Sequence, residues 1–112
     1  LTATIKDPDE VKNWSESLGR KGSDFPFINS LKSMVGHCLA ASGAIESVAA
    51  ILQIKEGFIF PSINTEDVHE DIKAIIDVSK IPNKTLYKNV NIVAKASFGF
   101  GDVNGCVIFK KY

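Results

Sequence analysis

The feature that most constrains the fold is a long helical pattern that opens with a run of small residues. The pattern extends from about residue 37 to residue 55, and Gly57 lies just beyond its end. The small residues run from Ala40 to Ala44, and a glycine inside a helix costs about 1 kcal/mol relative to alanine. Such a run indicates that another backbone or helix approaches closely, so we expect this helix to be buried on more than one side. Its main apolar stripe consists of Ile45, Val48, Ala49 and Leu52.

A second strong pattern, with a period of two, lies near the end of the chain. From Val90 to Ser97 the residues alternate so that one strand face is wholly apolar, made of Val90, Ile92, Ala94 and Ala96. Glycines then punctuate a turn, and Cys106 to Phe109 is typical of a strand buried on both faces. The two strands are predicted to pair as an antiparallel hairpin.

The beginning of the chain carries a helix start. Asp7 can cap the free amides, Pro8 suits the first turn, and Glu10 stands where a capping-box carboxylate would reach back. Apolar residues follow at helical spacing, and Gly19 supplies a stop. These residues predict a helix between Asp7 and Gly19.

Shorter elements fill the middle of the chain. Pro26–Ser30 and Phe58–Phe60 are predicted to be short strands, and Pro61–Asn64 a turn. Residues 66–77 could form a short charged helix, and Pro82 ends whatever precedes it. The mixture of helices with buried strands predicts a single α/β layered domain over residues 1–112.

Composition excludes several classes of function. The chain has 112 residues, 45% of them hydrophobic, with 13 basic against 13 acidic side chains, so no broad field for nucleic acid or an anionic membrane is expected. No apolar run approaches the length of a membrane span, and no secretory signal is visible. Cys38 and Cys106 form neither a metal-like pair nor a disulfide framework. We expect two buried free thiols, no metal and a cytoplasmic location.

His37 is the residue whose chemistry stands out. It lies at the start of the predicted long helix, directly after Gly36, where the positive helix end disfavours an imidazolium. A neutral imidazole that donates one hydrogen bond suits the stabilisation of a developing oxyanion. The alternative, a histidine that merely caps or packs, is favoured for an isolated histidine, so the neighbouring residues decide between the two.

Three segments, taken together, resemble the C-terminal part of a β-ketoacyl-acyl-carrier-protein synthase. Asn29–Glu46 is similar to the pattern Ser-Thr-Lys-Ser-Met-Thr-Gly-His-x-Leu-Gly-Ala-Ala-Gly-Ala-x-Glu, with lysine, glycine, histidine and glutamate in register. Phe60–Asn64 resembles Pro-Pro-Thr-Ile-Asn, and Ser97–Gly105 resembles Ser-Phe-Gly-Phe-Gly-Gly-Thr-Asn-Gly. The opening Leu1–Thr4 looks like the tail of the family's His-Gly-Thr-Gly-Thr motif.

The resemblance implies a thiolase-like C-terminal half-domain, with layered helices packed on a mixed sheet that ends in the hairpin. It implies that the nucleophilic cysteine and a first catalytic histidine lie upstream of residue 1, in an N-terminal half that this chain does not contain. The complete enzyme would join an acyl thioester to malonyl-acyl carrier protein by decarboxylative Claisen condensation, in fatty acid or polyketide synthesis. The chain alone is expected to be inactive.

The family's site residues carry over by resemblance. His37 would hold the enolate oxygen of the malonyl thioester, and Lys32 would order the histidine region, with Glu46 as an ionic partner. Phe100 would act as the gating phenylalanine beside the nucleophile. In the segment Ser97–Gly101, called here the Gly-Phe turn, Phe98, Gly99 and Gly101 would bind substrate. Gly36 and Asn104 would give structural support.

Partners follow from the same resemblance: acyl carrier protein with its phosphopantetheine arm, the upstream half, and a second copy in a homodimer, with no cofactor, nucleic acid or membrane. Departures from the family pattern include Leu31, Ala40, Ser42, Asp102 and Val103. A negative charge at Asp102 could repel an anionic malonyl donor. Two alternatives therefore stay open, a non-catalytic partner subunit like a chain-length factor and an autonomous binding domain in which His37 merely packs.

Overall fold

A computed structural model describes residues 7–101 and 103–112. The resemblance at Leu1–Thr4 and the departure at Asp102 fall outside these ranges. Contacts divide the chain into two compact units. The first comprises the described residues up to Gly36 together with Phe60–Thr85, and the second comprises His37–Ile59 together with Leu86–Tyr112.

Helix α1, Asp7–Leu18, confirms the predicted helix and provides one wall of the first unit. Its Val11 is 1% exposed and packs in a core with Phe25, Ile72, Ile76 and Ile81. Burying an aliphatic or aromatic side chain contributes about 1.5–3 kcal/mol each, so these five residues dominate the stability of this unit. Phe25 belongs to this core although it lies in a polar, turn-like stretch of sequence.

The remaining elements of the first unit are short. Helix α2 spans Lys32–Val35, helix α4 spans Glu70–Lys73, and a 3₁₀ turn spans Val78–Lys80. Only four residues of the predicted 66–77 helix are therefore α-helical, because few apolar side chains are present to anchor more. Ile81 and Pro82 follow the 3₁₀ turn and are both buried.

The predicted strand at Pro26–Ser30 is wrong. The segment is irregular, and its polar groups are satisfied one by one rather than by a ladder. The amide of Ile28 donates to the carbonyl of Lys80 at 2.9 Å, and the side chain of Asn29 donates to the carbonyl of Phe60 at 2.8 Å.

The second unit packs helix α3, Ser42–Glu56, against an antiparallel hairpin. The hairpin consists of β3, Ile92–Gly99, and β4, Val103–Lys110, and it confirms the predicted pairing, with Ile92 opposite Lys110 and Phe98 opposite Asn104. A smaller antiparallel pair joins β1, Phe58–Ile59, to β2, Leu86–Tyr87. Among the described residues, parallel pairing is limited to one isolated bridge between Gly22 and Ile76.

The hairpin does not turn its wholly apolar β3 face to the helix, contrary to the burial expected from the sequence. The α3 side carries Lys95 and Ser97 of β3 with Val107 and Phe109 of β4, while the other face carries Ile92 and Ile108, which are 60% and 68% exposed. The prediction of a fully buried strand at Cys106–Phe109 is wrong, and so is that of two buried thiols, since Cys106 is exposed and Cys38 half-buried. Periodicity defined two faces of the strand but not which one the helix covers.

Helix α3 is also less buried than predicted. Ile45, Val48 and Leu52 of the expected apolar stripe are exposed. The buried apolar residues of the helix are instead Ala50 and Ile54. The helix is apolar around most of its circumference, so the pattern of small and apolar residues did not single out the side that contacts the hairpin. The predicted close approach of another backbone or helix is not found at Gly43, where a Cβ atom would have only Nζ of Lys95 within 4 Å, at 3.6 Å.

Candidate active site

His37 lies in an irregular connection and not at the start of the long helix, which corrects the sequence prediction. Helix α2 ends at Gly36, whose φ of 75° and ψ of −176° are accessible to glycine and strongly disfavoured for other residues. A 3₁₀ turn, Leu39–Ala41, follows His37, and α3 begins at Ser42. Four residues separate His37 from Ser42, so His37 precedes the long helix rather than opening it.

The Nδ1 atom of His37 accepts a hydrogen bond from the backbone amide of Leu39 at 2.9 Å. The hydroxyl of Ser42 lies 3.3 Å from the same nitrogen. An acceptor at Nδ1 places the proton of the neutral ring on Nε2. The ring is exposed, and the hydrogen bond from the Leu39 amide selects its tautomer.

Leu39 adopts an unusual backbone conformation to make this hydrogen bond. Its φ is 49°, in the left-handed region that side chains rarely adopt, and its side chain is 76% exposed. Strain of this kind persists where the surroundings impose it, and it clusters at functional sites. No pattern in the sequence marked Leu39 as a residue that orients His37.

In the first unit, the segment before His37 is fastened to the Phe60–Asn64 turn. The amide of Ser30 donates to Oγ of Ser62 at 2.9 Å, and the amide of Ile63 donates to Oγ of Ser33 at 3.2 Å. Ser62 is 3% exposed. The segment that begins at Asn29 and the Phe60–Asn64 turn, both of which carry the family resemblance, are thus in contact. Lys32, which lies between Ser30 and Ser33 in the sequence, is half-buried.

The Gly-Phe turn joins β3 to β4 and presents its aromatic rings to solvent. Phe98 is 57% exposed and Phe100 is fully exposed, so Phe100 is not hairpin core. A Cβ atom at Gly99 would stand 3.1 Å from the carbonyl oxygen of Val103, which explains why glycine stands there. Gly101 completes the turn, and Asn104 pairs with Phe98 across the hairpin.

Glu46 forms an ion pair that the sequence did not predict. Its Oε2 lies 3.1 Å from Nζ of Lys95 on β3, and the two side chains are only 14% and 12% exposed. The predicted pairing of Glu46 with Lys32 joins residues of different units, and it stays a prediction. The signal for Lys95 was a lone cation in a strand of small and apolar residues.

Shifted pKa values occur in the first unit, on the surface between Glu70 and Asp77. A hydrogen bond from Lys73 lowers the pKa of Glu70, and a hydrogen bond from the amide of Ser79 lowers the pKa of Asp77. These groups cap and brace short helices and are not among the predicted site residues.

Within residues 7–101 and 103–112, no group of three or more acidic, histidine or cysteine side chains could hold a metal ion. In the same ranges, no helix has the length and hydropathy to cross a membrane.

Comparison with known proteins identifies the family. The sequence model of the β-ketoacyl synthase C-terminal domain matches residues 2–66. The chain therefore belongs to the β-ketoacyl synthase family, and both the predicted family and the thiolase-like α/β class are confirmed.

Curated relatives agree with this assignment. The 3-oxoacyl-[acyl-carrier-protein] synthase 2 of Vibrio harveyi is 33% identical over 105 residues, covering 94% of this chain and 24% of that protein. The chloroplastic synthase I of Hordeum vulgare is 38% identical over 112 residues, covering 100% of this chain and 20% of that protein. The chain thus spans about a quarter or less of the length of these relatives.

Solved structures give the same result. The ishigamide ketosynthase/chain length factor superposes with a TM-score of 0.86 at 31% identity, over 99% of this chain and 26% of that chain. A type II polyketide ketosynthase in complex with its acyl-carrier protein superposes with a TM-score of 0.81 at 35% identity, over 93% of this chain and 24% of that chain.

Proposed function

We propose that this chain is the C-terminal portion of a 3-oxoacyl-[acyl-carrier-protein] synthase, which extends an acyl thioester by two carbons taken from malonyl-acyl carrier protein. The observation that carries the proposal is the state of His37. Its Nδ1 atom is occupied by the amide of Leu39, which leaves the neutral ring with an Nε2 proton to donate, within a motif that matches the family in order and spacing.

The proposed role of His37 follows from where charge develops. When the malonyl thioester loses carbon dioxide, the electron pair of the broken bond delocalises onto the thioester oxygen as an enolate. A hydrogen bond from Nε2 stabilises that oxygen more than it stabilises the ground-state carbonyl, which lowers the barrier. The enolate carbon then attacks the acyl group on the upstream cysteine, a carbon–carbon bond forms, and the cysteine thiolate leaves.

The other site residues take supporting roles in this proposal, and most of these roles come from the family resemblance alone. Lys32 orders the histidine region, and Gly36 provides the backbone conformation that turns the chain into His37. The full exposure of Phe100 is consistent with a gate, because a ring packed in a core could not swing. Phe98, Gly99 and Gly101 present the turn to substrate. Asn104 and Glu46 hold the turn in place.

The proposed partners are those of the family. We expect the 112 residues to act as one portion of a synthase, together with an upstream half that carries the cysteine. Acyl carrier protein would deliver both acyl and malonyl groups, and the related polyketide ketosynthase solved with its carrier protein supports this expectation. We also propose a homodimer and a cytoplasmic location.

The test uses the complete natural polypeptide that carries this sequence. Carbon dioxide release from malonyl-acyl carrier protein is measured for the wild type, His37→Ala and His69→Ala. His69 is a matched control, because it is also exposed and its Nδ1 atom also accepts an amide two residues ahead, at 3.2 Å from Asp71. We expect His37→Ala to lower kcat by about a hundredfold or more, in the range found for removal of one oxyanion donor. Equal rates for the wild type and His37→Ala would remove His37 from the mechanism.

A second candidate is a non-catalytic partner subunit comparable to a chain-length factor. Asp102 and Val103 replace the family's Gly-Thr beside the turn, and the solved ishigamide ketosynthase/chain length factor is similar over 99% of the chain. Acylation of the complete polypeptide by an acyl-carrier protein distinguishes the two. A stable cysteine thioester supports the synthase, and no acyl transfer supports the partner subunit.

A further inference from the structure

The ion pair between Lys95 and Glu46 connects two parts of the candidate site inside the second unit. Glu46 lies on α3, one turn after Ser42, whose hydroxyl lies 3.3 Å from Nδ1 of His37. Residues four apart share a helix face, so Ser42 and Glu46 are neighbours on α3. Lys95 lies on β3, two residues before Ser97, which is paired with Gly105 of β4 and precedes the turn that joins the two strands.

The surroundings of Lys95 are built around its ammonium group. Nζ lies 3.1 Å from Oε2 of Glu46, and it also donates a hydrogen bond to Oγ of Ser97. Gly43 of α3 lies beside the ammonium group, since a Cβ atom there would be in ordinary van der Waals contact with Nζ, at 3.6 Å. With side chains only 12% and 14% exposed, the pair is poorly screened by solvent and its geometry is restricted.

We propose that Lys95 is a positioning residue for the condensing reaction, which fixes the Gly-Phe turn relative to the helix that follows His37. It acts through Glu46 on α3 and through Ser97 at the base of the turn, and it does not touch substrate. The proposal rests on the proposed function for its kinetic consequence. Its structural part, the coupling of α3 to β3 through one ion pair, stands independently.

The experiment compares three variants of the complete natural polypeptide. Lys95→Met removes the charge at similar length, Lys95→Arg keeps the charge, and Lys110→Met removes an exposed lysine from the other strand of the hairpin. We expect Lys95→Met to lower kcat for malonyl-acyl carrier protein by about tenfold or more with little change in KM, because small displacements of catalytic groups cost up to about a hundredfold. Lys95→Arg should recover most of the rate, and Lys110→Met should match the wild type. A folded Lys95→Met protein with wild-type kcat would overturn the proposal.

Glu46→Gln and the double replacement Lys95→Met with Glu46→Gln complete the test. If the effects of Lys95 and Glu46 are fully coupled, the double replacement has the same kcat as Glu46→Gln within about twofold. A further loss of about tenfold or more relative to Glu46→Gln would overturn the proposal. This comparison uses only Glu46→Gln and the double replacement, so it remains decisive if Lys95→Met does not fold.

Thermal unfolding of the same set separates this proposal from the proposed function. If the wild type releases no carbon dioxide, the proposed function fails, while unfolding still reports the pair. Non-additive shifts in Tm for Lys95→Met and Glu46→Gln support the coupling of α3 to β3, and additive shifts refute it.

Discussion

Gly36 offers a direct test of the backbone geometry that precedes His37. Its φ of 75° and ψ of −176° lie in a region that is populated almost entirely by glycine, and such strain costs a residue with a side chain about 1–3 kcal/mol. A Cβ atom at this position would meet nothing within 4 Å, so the cost of Gly36→Ala is conformational and not steric. Alanine also restricts the unfolded chain, which returns about 0.4–1 kcal/mol. We expect a net loss of about 1–2 kcal/mol in the free energy of unfolding.

The assay is urea unfolding followed by circular dichroism, with Gly19→Ala as the matched control. Gly19 has a φ of 62° and also has open space around its missing side chain, but it ends α1 far along the chain from His37. Both variants should lose stability, and only Gly36→Ala should also lower the rate of malonyl decarboxylation. Stability within about 0.5 kcal/mol of the wild type for Gly36→Ala, the range of an ordinary surface change, would refute the reasoning.

Two further predictions concern local hydrogen bonds. Leu39→Pro removes the amide that binds Nδ1 of His37 and requires a φ near −65°, so the rate of decarboxylation should fall about tenfold or more. Leu39→Gly keeps the amide and accepts the φ of 49°, so it should retain the rate. Equal rates for the two variants would contradict this prediction. Asp77 has a lowered pKa because the amide of Ser79 donates to it, so its contribution to stability is present above pH 3.8 and is lost as the pH falls through the lower pKa of the folded state. Asp77→Asn should therefore be less stable than the wild type at pH 7, and the difference in Tm between the two proteins should shrink at pH 2. If that difference is the same at both pH values, the carboxylate charge is not its cause.

Local sequence patterns predicted the elements whose residues repeat regularly. Helix α1 follows from its capping residues and apolar spacing, and the hairpin follows from the alternation between Val90 and Ser97. Both patterns depend only on near neighbours in the chain. The start of α3 was misplaced because Gly36 and Leu39 have positive φ angles, and nothing in the sequence marks a leucine for that conformation.

The candidate site was only partly predictable for a related reason. The family motif identified His37, Glu46 and Phe100 as residues, but it did not reveal what holds them. The amide of Leu39 at His37 and the ammonium of Lys95 at Glu46 are contacts set by backbone geometry and by tertiary packing. Periodicity alone could not show that the polar side of β3 faces the helix, because alternation defines two faces without saying which one is covered.

The uncovered apolar side of the β3–β4 hairpin affects how the purified chain will behave. Ile92 and Ile108 face water from a two-stranded ribbon, and the described strands leave one edge of each strand without a neighbour. Ribbons of this kind associate edge to edge as concentration rises. We therefore expect the isolated chain to associate as its concentration rises, and charged substitutions at these two isoleucines to reduce that association.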